Sequence, residues 1–356
     1  MKGIQHIEVS NRKVKFKFDL IRNITIIRGE SGTGKTTLYN MISDYTRLQE
    51  SSGVNLSSEK PCVALTDMDW QNQLSNTRDS IVFIDEGAKY ISSAEFAAAI
   101  KASDNYYVLF TREDLHELPY SVEEIYEIKT SGKFHTLKKR YPAAKRHRYT
   151  HTGSSADHFD VLLTEDSGSG YQFFQKCYED TAVRCESAAS NSAIFRWLNE
   201  HPSARILVVA DGAAFGAEMD RVLKLCQAHP GAFQLCLPES FEWLILKSGI
   251  LREDRVVEIL NHPSDYIESR DCFSWENYFE ALLVQTTEGT PFQYTKSRLN
   301  PVYTRRKFSS SICAISSSCV ISGIPGVLFM GEGSSFSHFS YHSINAFGSR
   351  IHQRRN

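Results

Sequence analysis

Gly29-Glu30-Ser31-Gly32-Thr33-Gly34-Lys35-Thr36 carries the most specific chemistry in the sequence. The stretch fits the phosphate-binding pattern G-x-x-x-x-G-K-[ST] at every fixed position. Its glycines allow successive backbone N–H groups to turn inward around phosphate oxygens, and a helix starting at Lys35 would aim its N-terminus at the same oxygens. Lys35 would reach the β- and γ-phosphates, the Thr36 hydroxyl would ligate Mg²⁺, and Thr37 extends the contact into the helix. The spacing predicts a site for a nucleoside triphosphate with Mg²⁺.

Acids and a cation downstream complete that chemistry. The apolar run Ile81-Val82-Phe83-Ile84 ends in Asp85-Glu86. A buried parallel strand would deliver Asp85 to the Mg²⁺ shell, and Glu86 beside it would polarise the attacking water. Tyr106 to Phe110 forms a further apolar strand tipped by Thr111-Arg112. Either residue would sit near the γ-phosphate, because ligands collect at the carboxyl ends of parallel strands.

The elements that must position these groups are legible around them. Residues 4 to 20 alternate apolar and polar about the turn Ser10-Asn11-Arg12, which predicts a hairpin ahead of the strand Thr25 to Arg28. A helix is expected from Lys35 to about Leu48, strands over 62–65, 125–128 and 134–137, and a helix from Ala94 to Ala102. The order of phosphate-loop strand, intervening strand, acid-tipped strand and polar-tipped strand resembles the core of P-loop ATPases of the ASCE type, to which the AAA and ABC families belong. That resemblance implies ATP as substrate, with Glu86, Lys35, Thr111 and Arg112 in catalytic positions. The LSGGQ-like signature of the ABC branch is missing. A rival resemblance sets Thr111-Arg112-Glu113-Asp114 beside the guanine-reading N/T-K-x-D motif of GTPases, with Asp114 on the base. Asp85-Glu86-Gly87-Ala88 does not fit the accompanying D-x-x-G element, so ATP is favoured.

The second half restarts an α/β pattern. The strand Phe159 to Thr164 ends at Glu165-Asp166, and Arg205 to Ala210 ends at Asp211-Gly212. Parallel pairing would bring these carboxylates to one sheet edge, a hard-oxygen set suited to a divalent metal. The pattern over roughly 160 to 250 resembles the TOPRIM domain of topoisomerases, primases and OLD-type (overcoming lysogenization defect) nucleases. On that resemblance Glu165 and Asp211 are metal ligands, and Pro238 to Leu246 is the glutamate-bearing helix that follows. Asp211-Gly212-Ala213 lacks the second aspartate of D-x-D, so Glu218 or Asp220 would have to complete the set, with Asp166 a further candidate.

The expected organisation is a P-loop NTPase domain over 1–140 (a parallel sheet flanked by helices), a basic linker over 141–157, and a TOPRIM-like α/β domain over 158–300. A serine-rich disordered tail is expected over 301–356. Lys138, Lys139, Arg140, Lys145, Arg146 and Arg148 cluster with Tyr141 and Tyr149, so the linker is a candidate contact for nucleic-acid phosphates. The formal net charge of −2 over 356 residues gives no global attraction to nucleic acid or membrane. The eight cysteines form no C-x-x-C pair, which points to a reducing compartment. A polar N-terminus and the lack of a long apolar run predict a cytoplasmic protein with no membrane contact. Homo-oligomerisation stays open. Two functions follow. One is an ATPase coupled to a metal-dependent nuclease of the phage-defence kind. The other is a regulatory NTP switch, or GTPase-like protein, whose C-terminal domain binds a partner without chemistry.

Overall fold

A computed structural model describes residues 1–66, 68–141, 159–251, 253–318 and 320–322. Lys145, Arg146, Arg148 and Tyr149 of the expected basic linker lie outside the described residues, as does everything after 322. The class is α/β, with two sheets flanked by helices.

The first sheet has nine strands. In chain order they are β1 (Gln5–Ser10), β2 (Lys15–Leu20), β3 (Ile24–Arg28), β4 (Asn55–Ser57), β5 (Cys62–Leu65), β6 (Ile81–Ile84), β7 (Tyr106–Phe110), β8 (Ile125–Ser131) and β9 (Phe134–Lys139). Helices α1 (Lys35–Leu48), α2 (Trp70–Ser75) and α3 (Ala94–Lys101) connect them. The spatial order is β4-β1-β2-β9-β8-β3-β7-β6-β5. Strands β5, β6, β7, β3 and β8 run parallel, and β1–β2 is the antiparallel hairpin expected from the alternation of residues 4 to 20. On β7, Tyr106, Val108 and Phe110 pack into one core, while Tyr107 and Leu109 pack into the core on the opposite face. A strand buried on both faces reads as a continuous apolar run, which is why 106–110 is conspicuous in the sequence.

The second sheet orders its strands β11 (Arg184–Ser187), β10 (Val161–Thr164), β12 (Ile206–Val209), β13 (Phe233–Cys236) and β14 (Val320–Ser322). The first four run parallel and β14 closes the edge antiparallel. Around them lie α4 (Ser169–Cys177), α5 (Asn191–Glu200), α6 (Gly216–Ala228), α7 (Phe241–Lys247), α8 (Asp254–Asn261), α9 (Trp275–Thr287) and α10 (Arg306–Ser318). The expectation of disorder from 301 does not hold over 301–318 and 320–322. Val302, Tyr303 and Ile312 are buried in the core under α7 and α9, and β14 pairs with β13. Three buried side chains in a serine-rich stretch suffice to fix it.

The described residues up to 322 pack as one compact unit with a seam between the two sheets. Arg22, in the turn between β2 and β3, donates to both carboxylate oxygens of Glu239 at 2.9 and 2.7 Å and lies 3.6 Å from Glu124. Its guanidinium also stacks 3.6 Å over the Trp275 ring. Farther along the seam the Gly216 amide donates to the Tyr120 carbonyl at 2.9 Å. A Cβ at position 216 would come within 2.3 Å of the Tyr120 ring, so only glycine lets α6 approach this closely. Of the basic run, Lys139 pairs with Glu123 at 2.7 Å and Arg140 with Glu127 at 2.7 Å and Asp220 at 3.3 Å. These two cations are therefore engaged within the protein rather than free for a phosphate backbone. Among the described residues no helix is long and apolar enough to cross a membrane.

Candidate functional sites

The first site lies at the carboxyl end of β3. Gly29, Gly32 and Gly34 have φ of 152°, 83° and 100°. Gly34, directly before α1, occupies the left-handed region where a side chain would be strained. Lys35 is 5% exposed; its ammonium donates to the carbonyl oxygens of Gly29 and Glu30, the latter at 3.2 Å, and lies 3.4 Å from the Glu86 carboxylate. Arg112 pairs with the other oxygen of Glu86 and donates to the Ser31 hydroxyl at 3.0 Å. The loop, Glu86 and Arg112 thus meet in one cleft of about 370 Å³, with Glu30, Ser31, Thr33, Thr36 and Thr37 on its walls.

Parallel order explains this convergence. Strand β7 sits between β3 and β6, so the carboxyl ends of all three face the same edge. Asp85 follows β6 directly, and its Oδ1 is buried with no hydrogen-bond partner among the described residues. A buried carboxylate oxygen without a donor is costly, and a cation shared with Thr36 would satisfy it.

Two sequence expectations are placed differently. Thr111 is buried, and its hydroxyl is engaged by the backbone of Glu113, accepting from the amide at 2.9 Å. It shapes the turn after β7 and does not line the cleft, because residues at a strand end alternate in direction and Arg112 takes the outward position. Asp114, the guanine-reading candidate, accepts from Arg28 at 2.5 Å. Arg28 is itself 5% exposed and also donates to Tyr120 at 3.1 Å, so Asp114 serves as the counter-ion of a buried guanidinium.

The second site lies where β10 and β12 pair, with Thr164 opposite Val209. The chain leaves β10 toward β11 on one side and returns to β12 on the other, making this a switch point at which a crevice opens. Glu165 Oε2 accepts from the Asp211 amide at 2.9 Å, and Asp166 accepts from the Gly168 amide at 2.9 Å. Glu165, Asp166, Asp211 and Glu242 line a small cavity of about 30 Å³ with Lys296. Tyr294 donates to Glu242 Oε1 at 2.5 Å, while Glu242 Oε2 is buried without a partner among the described residues. Lys296 pairs with Glu276 at 2.7 Å and Glu280 at 3.3 Å.

Burial drives the Glu165 carboxyl up to about 7; the Asp211 amide opposes the rise, and the charges of Glu276 and Asp166 add to it. Asp211 is raised well above the usual carboxylate range by burial and by the charges of Glu165, Glu276 and Glu242. Glu242 is raised by burial. Carboxyls crowded this way hold protons or share a cation.

Glu218 and Asp220 do not join them. Both lie on α6 and are already partnered: Glu218 by the His116 ring at 3.1 Å and the Arg221 guanidinium, Asp220 by Arg140 and Lys224. Burial works against the charge on Asp220, but hydrogen bonds from Lys224 and Tyr141 outweigh it and hold the carboxyl at about 2. Helical spacing on α6 carries both acids away from the sheet edge. Among the described residues no group of three or more His, Cys, Asp or Glu is arranged to hold a metal ion.

Sequence reading missed Glu242, Lys296 and Tyr294 at this cleft, and Thr130 and His135 at the first. The helix bearing Glu242 was visible, but the other residues sit in a loop or a short hairpin without a motif. No protein-family model matches this chain, and no curated protein matches it in sequence.

Proposed function

We propose that this protein is an ATPase whose turnover at Gly29–Thr36 controls the acidic cleft of the second sheet. The observation that carries the reading is the meeting of Lys35, Glu86 and Arg112 around the loop beside a buried, partnerless Asp85 oxygen. Lys35 is folded back onto the loop's own carbonyls, and a triphosphate would offer it stronger acceptors. Drawing Lys35 and Arg112 onto phosphate oxygens frees Glu86 to accept a proton from the attacking water. Thr36 and Asp85 would hold Mg²⁺, which neutralises charge on the β- and γ-phosphates. ATP is preferred to GTP because Asp114 is committed to Arg28. Lys35→Ala removes a charge that no neighbour replaces and is expected to abolish tight ATP binding; titration calorimetry with ATP and Mg²⁺ checks it, and unchanged affinity would overturn the assignment.

For the acidic cleft the reading is a metal-dependent phosphodiesterase acting on nucleic acid. Glu165 and Asp211 would hold a divalent ion whose shell solvent oxygens complete, and the ion would supply Lewis acidity toward a phosphodiester. A second reading, an NTP-driven switch without chemistry at this cleft, is favoured by one observation: no three-ligand metal arrangement exists among the described residues. Incubation with plasmid DNA and Mg²⁺ or Mn²⁺ separates the two, since only the first expects cleavage or relaxation.

A further inference from the structure

The sheet order divides the nucleotide cleft into two flanks. Glu86 and Arg112 follow β6 and β7 on one side of β3, whereas Val14, Thr130 and His135 belong to the β2, β8 and β9 side. If the water-polarising acid and Arg112 face the terminal phosphate, the ester-linked nucleoside must leave toward the other flank. There the His135 ring stacks on Phe16 with centroids 4.5 Å apart and planes 20° apart, and Phe16 is 1% exposed. His135 Nδ1 lies 2.9 Å from the Thr130 hydroxyl, which fixes the ring's rotation. The ring stands against the start of α1: a Cβ on Gly34 would lie 3.8 Å from its Nδ1 and 3.7 Å from Phe16. The three side chains described on this flank, Val14, Thr130 and His135, carry no carboxylate.

We propose that Val14, Thr130 and His135 form the nucleoside subsite, in which the base of the bound triphosphate stacks on the His135 ring, backed by Phe16. The proposal rests on the reading of Gly29–Thr36 as the triphosphate cradle. One face of the imidazole is covered by Phe16 and the ring borders the cleft, so what it presents is flat π-surface on a rigid support. Stacking accepts any base, and purines offer more overlap than pyrimidines.

The test compares ATP with inorganic tripolyphosphate, both with Mg²⁺, by titration calorimetry on the full chain and its His135→Ala and His135→Phe variants. His135→Ala is expected to weaken ATP about tenfold while tripolyphosphate stays within about twofold. Retained tripolyphosphate affinity shows at the same time that the variant is folded. His135→Phe is expected to restore ATP affinity, because the flat ring and not its nitrogens makes the contact. Equal losses for both ligands, or no loss for ATP, would overturn the subsite. Wild-type protein that binds tripolyphosphate as tightly as ATP refutes the subsite alone, whereas failure to bind either ligand refutes the cradle and the subsite together.

Discussion

The two clefts are built at equivalent places, each at the carboxyl ends of parallel strands, but with opposite electrostatics. In the first, two acids line a roomy cleft, Glu30 and Glu86, and Glu86 is held between Lys35 and Arg112. In the second, four carboxylates share a narrower cleft with Lys296, which Glu276 and Glu280 already engage. The first has its ion pairs made as it stands and, on the proposed reading, would exchange them for contacts to an anion. The second carries an excess of buried acid that only protons or an added cation relieve. One site is prepared by its backbone, the other waits on its solvent.

The sharpest way to break this contrast is Glu86→Gln. The amide keeps the shape but cannot take a proton, so kcat for ATP should fall about 10²–10⁴-fold with binding retained. Steady-state hydrolysis checks it, and wild-type turnover would remove Glu86 from the mechanism. The next effect belongs to the acidic cleft. In metal-free buffer at pH 8, Glu165→Gln with Asp211→Asn relieves repulsion between ionised groups and should raise the melting temperature by on the order of 5 °C. Added Mg²⁺ should stabilise the Lys35→Ala protein, in which the first site is disabled, and not the double amide variant. If Mg²⁺ raises both equally, the excess acid is not a cation site.

The smallest effect lies in the seam between the clefts. Burial pushes the Glu124 carboxyl up to about 7, against the opposing charge of Arg22. Between about pH 4.5 and 7 the folded state therefore binds more protons at this group than the unfolded chain, and its contribution to stability is lost as pH rises through that window. Glu124→Gln should flatten that part of the stability profile by roughly 1–2 kcal/mol. A denaturation series from pH 5 to 8 checks it, and an unchanged slope would assign the dependence to the acidic cleft instead.

What the sequence disclosed follows the same division. The phosphate loop is legible because backbone angles and charge demand particular residues at fixed spacing, and β3, β6 and β7 announce themselves by burial on both faces. Glu165 and Asp211 were also placed together, since adjacent apolar strands run parallel. Their surroundings were not legible: Lys296 and Tyr294 arrive from a loop more than a hundred residues downstream of Glu165, with no periodicity to mark them. Edge strand β11, with its exposed or half-buried Arg184-Cys185-Glu186-Ser187, lacks the apolar run by which inner strands are recognised. Helix α10 was hidden because its core contacts, Ile312 with Phe308, Cys313 and Ile315 packed beside it, are interspersed in a run of serines.

Arg22 has a consequence for how the sequence can drift. Its planar fork meets both oxygens of Glu239, so lysine, with one point charge, cannot take over the contact. An apolar replacement would strand the buried Glu124 carboxyl and the half-buried Glu239 carboxylate at the seam. Position 22 is therefore not free to change alone. In descendants that keep this junction, positions 22 and 239 must change together or not at all, and their joint substitution would serve as a marker of the two-sheet arrangement where overall identity has faded.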